Sequence, residues 1–158
     1  MDVYVWVEPS RRPDEVAGFV HRYVDVQDPG DARLEAFLRV WVDGGATAAD
    51  QEAMAALRRG PGGGRAVSLY VRARDHHEAI ITVTEEGAAV LGLSLDDPDD
   101  SPATIDQAAG LLAQLRAEFA ASHGVIGIEL PPPQSWDEWA EAEVILRVEQ
   151  AGPATPVM

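Results

Sequence analysis

A chain of 158 residues with 46% apolar and 25% charged side chains has the size and balance of one folded domain, which excludes a disordered or fibrous chain. It contains no cysteine, which excludes disulfides, thiolate metal sites and thiol catalysis. The net charge is −15 and all 12 basic residues are arginine. That charge repels phosphate backbones and anionic bilayers, which argues against nucleic acid and membrane as partners and for a cationic one.

"DVYVWVE", residues 2 to 8, sets Val3, Val5 and Val7 against Tyr4 and Trp6, the period-2 pattern of a strand. In "RPDEVAGFVHRYVD", Val16, Phe19, Val20, Tyr23 and Val24 fall at helical spacing, with Pro13 suited to a first turn and Asp14 and Glu15 favourable to its dipole. "GDARLEAFLRVWVDGG" fits both periods. A helix over residues 32 to 43 is preferred because Asp31 can serve as N-cap and Gly44 and Gly45 as a stop. "TAADQEAMAALRRG" predicts a further helix capped by Thr47, with two arginines in its last turn.

"GPGGGR", residues 60 to 65, separates this helical part from a strand-rich one and is too short to divide domains. Its glycines lack the Lys and Ser/Thr of a phosphate loop. Strands are expected over roughly 66 to 74, 78 to 84 and 88 to 95, joined tightly enough to form an antiparallel meander. "SPATIDQAAGLLAQLRAEFAASHG" carries Ile105, Ala108, Ala109, Leu112, Leu115 and Phe119 on one face, starts at Ser101 and Pro102, and is expected to stop at Gly124. "VIGIEL" predicts another strand, "PPPQS" a rigid turn, and Val144 to Val148 a short final strand. Residues 1 to 150 thus read as a single α+β domain, with a largely antiparallel mixed sheet and about four helices packed on it. Residues 151 to 158 read as a disordered tail.

Two acidic stretches stand out. "LDDPDDS" places Asp96, Asp97, Asp99 and Asp100 just before a helix N-terminus, where one or two carboxylates favour the helix dipole. The surplus fits a solvated anionic ridge facing a basic partner; the spacing lacks the glycine and terminal glutamate of an EF-hand loop. "SWDEWAEAE" interleaves Trp136 and Trp139 with Asp137, Glu138 and Glu141, the composition of an aromatic anchor with an anionic rim, although packing over the core is expected of at least one ring. Residues 66 to 158 hold sixteen acids and four arginines, residues 1 to 65 eleven acids and eight arginines, so the anionic field belongs mainly to the sheet-bearing part.

His76 and His77 read as hairpin-turn residues, because neighbours on a strand point to opposite faces and cannot chelate together. His123 reads as a helix C-terminal residue suited to the dipole. No Ser-His-Asp order or metallohydrolase spacing emerges, so no catalytic residue, cofactor or metal is assigned. The opening "MDVYVWVEPSRR" lacks the basic-then-apolar order of a signal peptide, and no apolar run approaches the ~20 residues of a membrane helix, so a cytosolic location is expected.

The order "SLYVRA", "AIITVTEEGAAVLGLSL", "AAGLLAQLRAEFAASHGVIGIEL", from Val67 to Leu130, resembles small acidic immunity proteins of bacterial polymorphic toxin systems. In these a meander precedes a helix ending in phenylalanine, a glycine turn and a final strand. The resemblance implies a cytosolic protein without catalysis of its own that binds and blocks one cognate toxin. Asp96 to Asp100 and Trp136 to Glu143 are then the expected contacts. The competing expectation is a small-molecule-binding or enzymatic α+β domain with its pocket between meander and helices.

Overall fold

The computed structural model describes residues 1–59, 64–96 and 101–149. Among these, six strands form one antiparallel sheet: β1 (Asp2–Val7), β2 (Val67–Val71), β3 (Glu78–Val83), β4 (Ala89–Ser94), β5 (His123–Gly127) and β6 (Leu146–Val148). Their order across the sheet is β2-β3-β4-β1-β5-β6. The α+β class and the meander expected from sequence are both present, and every pairing is antiparallel. The first strand lies inside the sheet, between β4 and β5. This explains why Val3 to Val7 are all buried although the residues alternate in type.

Five α-helices are described: α1 (Arg12–Tyr23), α2 (Leu34–Leu38), α3 (Ala48–Ala56), α4 (Pro102–Glu118) and α5 (Trp136–Glu141). In α1 the buried residues Val16, Phe19, Val20 and Tyr23 follow the i, i+3, i+4, i+7 spacing, with Asp14 and Glu15 in the first turn. The ambiguous stretch 32 to 43 is helical. α2 continues directly into a π-helical turn over Arg39–Asp43 that ends at Gly44 with φ 81°. Asp31 is not its cap. It precedes the N-cap residue Arg33 and binds that residue's N–H at 2.9 Å and its guanidinium at 2.7 and 2.9 Å.

Thr47 does cap α3, in a reciprocal box with Asp50. The Arg39 guanidinium grips the Asp50 carboxylate through two 2.8 Å bonds, and together with the Thr47 N–H it holds that carboxyl far below the ordinary carboxylate range. The pair ties the π-helical turn to α3. The arginines expected in the last turn of α3 lie beyond it, and Arg58 bridges to Val67 beside the edge strand β2.

One face of the sheet carries the helices. Val3, Val5, Val7, Leu69, Ile81, Leu91 and Leu93 meet Phe19, Phe37, Met54, Leu112 and Leu115 in a single apolar cluster. These side chains are at most 2% exposed, so the space between meander and helices is filled. α4 lies over β1 and β5, and α1 over β4. Ile105, expected on the inner face of α4, is 38% exposed, whereas Leu111, which was not expected there, is buried.

α4 does not run to Gly124. Ala120 turns left-handed at φ 50°, and the Ala121 N–H returns to the Arg116 carbonyl at 3.0 Å, which closes the helix with an alanine where glycine is usual. Gly124 sits instead in β5, where a Cβ would come within 2.3 Å of Leu112 Cδ1. Hence β5 begins at His123, two residues earlier than expected, and His123 is a strand residue, not a helix terminus.

The opposite face is covered by chain from Ile128 to Ile145, including α5. Tyr4, Trp6, Ile80, Ala88, Val90 and Val125 form a second, smaller cluster with Trp139, joined by Leu130 and Val144. Among the described residues no helix is long and apolar enough to cross a membrane. The expected tail, residues 151 to 158, lies outside the described residues.

Candidate functional site

The site is built on this second face, from the C-terminal end of β1. Trp6 pairs with Val90 on one side and His123 on the other, so the side chains at these three positions share one edge of the face. Trp6 is 4% exposed and lies edge-on to two further indoles, Trp136 at 5.0 Å and Trp139 at 5.6 Å between centroids. Offset and T-shaped geometry places the positive edge of one ring on the negative face of the next.

The chain reaches this position through a short, well-anchored helix. Ser135 caps α5 by accepting the Glu138 N–H at 3.1 Å. The Trp136 N–H donates to both oxygens of Glu86, at 3.1 and 3.2 Å, so the β3–β4 hairpin holds the helix start. At the other end of the preceding loop, the buried Tyr4 hydroxyl donates to the Leu130 carbonyl at 2.5 Å, and burial pushes the Tyr4 phenol well above its ordinary range. Gly92 makes room for that ring, since a Cβ there would stand 2.4 Å from Tyr4 Cδ1.

The expected contact residues separate into distinct roles. Trp139 is 1% exposed and belongs to the core, so it is withdrawn from any docking face, and the aromatic anchor is Trp136, at 40% exposure. Glu138 is engaged inside the protein. Arg59 binds it through two bonds of 2.8 and 2.9 Å, and the Gln134 N–H adds a third at 3.2 Å. The Arg59 guanidinium is the main reason the Glu138 carboxyl lies below its ordinary value. Asp137 and Glu141 are exposed, and among the described residues neither is in an ion pair with arginine.

Asp96 is exposed just past β4, while Asp97, Asp99 and Asp100 lie outside the described residues. Asp96 is not near Trp136. Trp6 pairs with Val90, whereas Asp2, at the other end of β1, pairs with Ser94. Six residues of extended chain from Val90 to Asp96 span roughly 20 Å. Asp96 and Trp136 therefore stand at opposite ends of the sheet and cannot share one small patch.

The structure brings three other residues to Trp136, none of which the sequence assigned to a binding site. Glu8, Glu86 and His123 line a cleft of about 360 Å³ together with Trp6, Pro9, Ala88 and Trp136. His123 stands edge-on to Trp136 at 5.1 Å, and its buried Nδ1 has no hydrogen-bond partner among the described residues. No local pattern announces these residues, because they come from a strand end, a hairpin and a strand start that only the sheet order makes neighbours. A wider cleft of about 500 Å³ lies along the other side of α5, lined by Arg59, Leu130, Pro131, Pro133, Glu138, Glu141 and Ala142.

A further polar row crosses the far end of the same face, where Asp2, Ser94 and Glu78 are in register on β1, β4 and β3. The Ser94 hydroxyl donates to Asp2 at 2.6 Å, and the Leu130 N–H donates to the same carboxylate at 2.8 Å. Burial, and then the Asp2 charge, push the Glu78 carboxyl above its ordinary value, against an opposing effect of His77. His76 and His77 lie in the β2–β3 turn, and among the described residues no group of three or more His, Asp or Glu side chains is placed to hold a metal ion.

Comparison with protein families, curated proteins and solved structures gives no match for this chain.

Proposed function

We propose that this chain is an acidic, cytosolic protein-binding domain of the immunity type, which occupies the basic surface of a cognate toxin or another basic protein and has no catalysis of its own. The observation that carries this reading is the division of charge on the outer face. Trp136 is exposed beside Glu8 and Glu86 and next to Asp137 in the chain, Glu141 is exposed on the other side of α5, and among the described residues none of these carboxylates is in an ion pair. Three arginines are engaged by acceptors within the protein: Arg59 holds Glu138, Arg12 donates to the Gly87 carbonyl at 2.7 Å, and Arg116 to that of Ser122 at 3.1 Å. A half-exposed aromatic ring inside an unneutralised anionic rim has the character of a binding hot spot for a cationic surface.

An acidic surface of this kind steers a basic partner in and competes directly with that partner's anionic substrate. Asp96, at the far end of the sheet, extends the same field without sharing the Trp136 contact. The experiment is affinity capture from source-cell lysate and from products of neighbouring genes, followed by stopped-flow association with the purified partner. A stoichiometric basic partner is expected, with an association rate that falls steeply with salt and falls again in Asp137→Arg/Glu141→Arg, while far-UV circular dichroism is unchanged. A partner whose association ignores both salt and these reversals overturns the reading.

A further inference from the structure

We propose that the cleft between Trp6, Trp136, His123, Glu8 and Glu86 receives the guanidinium of an arginine on the partner protein. This rests on the reading of the chain as a binder of basic proteins, and it names the point of contact. Trp6 and Trp136 meet at 79°, so they form a corner whose two indole planes differ in direction. A planar cation can lie over the open face of one ring, attracted by the negative face of the indole, with the other ring excluding water beside it. Trp136, at 40% exposure, is the ring open to a ligand, and Trp6, at 4%, forms the floor.

The carboxylates supply the rest. Glu86 is fixed by the Trp136 N–H, which uses part of its hydrogen-bonding capacity and leaves lone pairs for a second donor. Glu8 is exposed at the cleft wall. Guanidinium matches such a site better than ammonium, because its planar fork can bond a carboxylate while its face stacks on an aromatic ring. The protein makes such a contact internally: the Arg22 guanidinium lies 5.8 Å from the centroid of Tyr23 while bonding the Glu118 carboxylate at 2.8 Å.

The test is a titration of the full-length chain with N-acetyl-arginine amide, followed by NMR of the four tryptophan indole N–H groups. N-acetyl-citrulline amide serves as the neutral isostere and N-acetyl-lysine amide as the alternative cation. Saturable shifts at Trp136 and Trp6 are expected with the arginine amide, at least about tenfold tighter than with citrulline amide. Trp41, already covered by Arg12, is expected to stay still. Glu8→Gln is expected to weaken the response with no change in the far-UV spectrum, and Trp136→Leu to abolish the shift at Trp6.

Equal responses to arginine and citrulline amides overturn the proposal, since the cleft is then merely apolar. Equal responses to arginine and lysine amides overturn the choice of guanidinium, and a flat titration overturns the site. A flat titration in a chain that still binds a basic protein in a salt-dependent way removes this cleft alone. Salt-independent binding of the partner removes the broader reading whatever the amide does.

Discussion

Trp136 and Trp139 lie three residues apart on one short helix, yet their replacement by alanine is expected to have different consequences. Trp139 is 1% exposed, is packed edge-on to Trp6 at 5.6 Å, and lies against Tyr4, Ile80 and Val125. A buried indole removes about 150–250 Å² from water, or about 4–6 kcal/mol at ~25 cal/mol per Å² as an upper bound. Trp139→Ala also leaves a cavity that Tyr4, held through Leu130, cannot collapse into, so a loss of about 3–5 kcal/mol is expected.

Trp136 is 40% exposed, and its removal leaves a space that water fills. With about 60% of the residue covered and no cavity term, Trp136→Ala is expected to cost about 2–3 kcal/mol. The assay is urea unfolding followed by far-UV circular dichroism, which does not depend on indole fluorescence, with the slope m compared between variants so that midpoints can be read as stability. Near-equal losses for the two variants would refute the assignment of one ring to the core and the other to the surface.

Gly92→Ala is expected to destabilise by about 1–3 kcal/mol or more in the same assay, because the new methyl meets a Tyr4 ring that its hydroxyl bond to Leu130 prevents from swinging aside. A neutral result would mean that the ring has another place to go. Ala120→Gly is expected to stabilise by up to about 1 kcal/mol, since alanine at φ 50° carries a left-handed penalty that glycine lacks; a loss of stability would contradict that account of the helix stop. Glu78 titrates with a raised pKa in the folded state, so its stabilising contribution is present below the unfolded value of about 4.3 and is lost as pH rises through the folded one. Glu78→Gln is therefore expected to raise the urea midpoint at pH 7 and to have little effect below about pH 4, and a lower midpoint at pH 7 would refute the burial argument.

Much of the local structure was readable before any coordinates because the forces that set it are local. The apolar repeat in Val16 to Tyr23, the Thr47 cap and the alternation of β1 each require neighbours no more than a few residues away. The meander was equally legible, for its short turns leave antiparallel pairing as the simplest way to satisfy three adjacent strands. Where local reading failed, a distant contact had overridden it. Gly124 reads as a helix stop, yet Leu112 presses on it in β5 and an alanine ends the helix. The exception is Asp31, which reads as a cap but whose carboxylate is held by Arg33, only two residues on.

What the sequence determined by itself was the class of molecule: one α+β chain, strongly anionic, without thiol chemistry, with its charge concentrated in the sheet-bearing part. The strand order was decided only in three dimensions, and the candidate site followed from it. Placing β1 between β4 and β5 brings Trp6, Glu86 and His123 to one edge, buries Trp139, leaves Trp136 half in solvent, and sends Asp96 to the opposite end of the sheet. The physical reason is that burial and proximity are properties of pairs of segments. Trp136 and Trp139 have the same side chain and similar neighbours along the chain, and only the surface beneath the helix distinguishes the one that packs from the one that is free to bind.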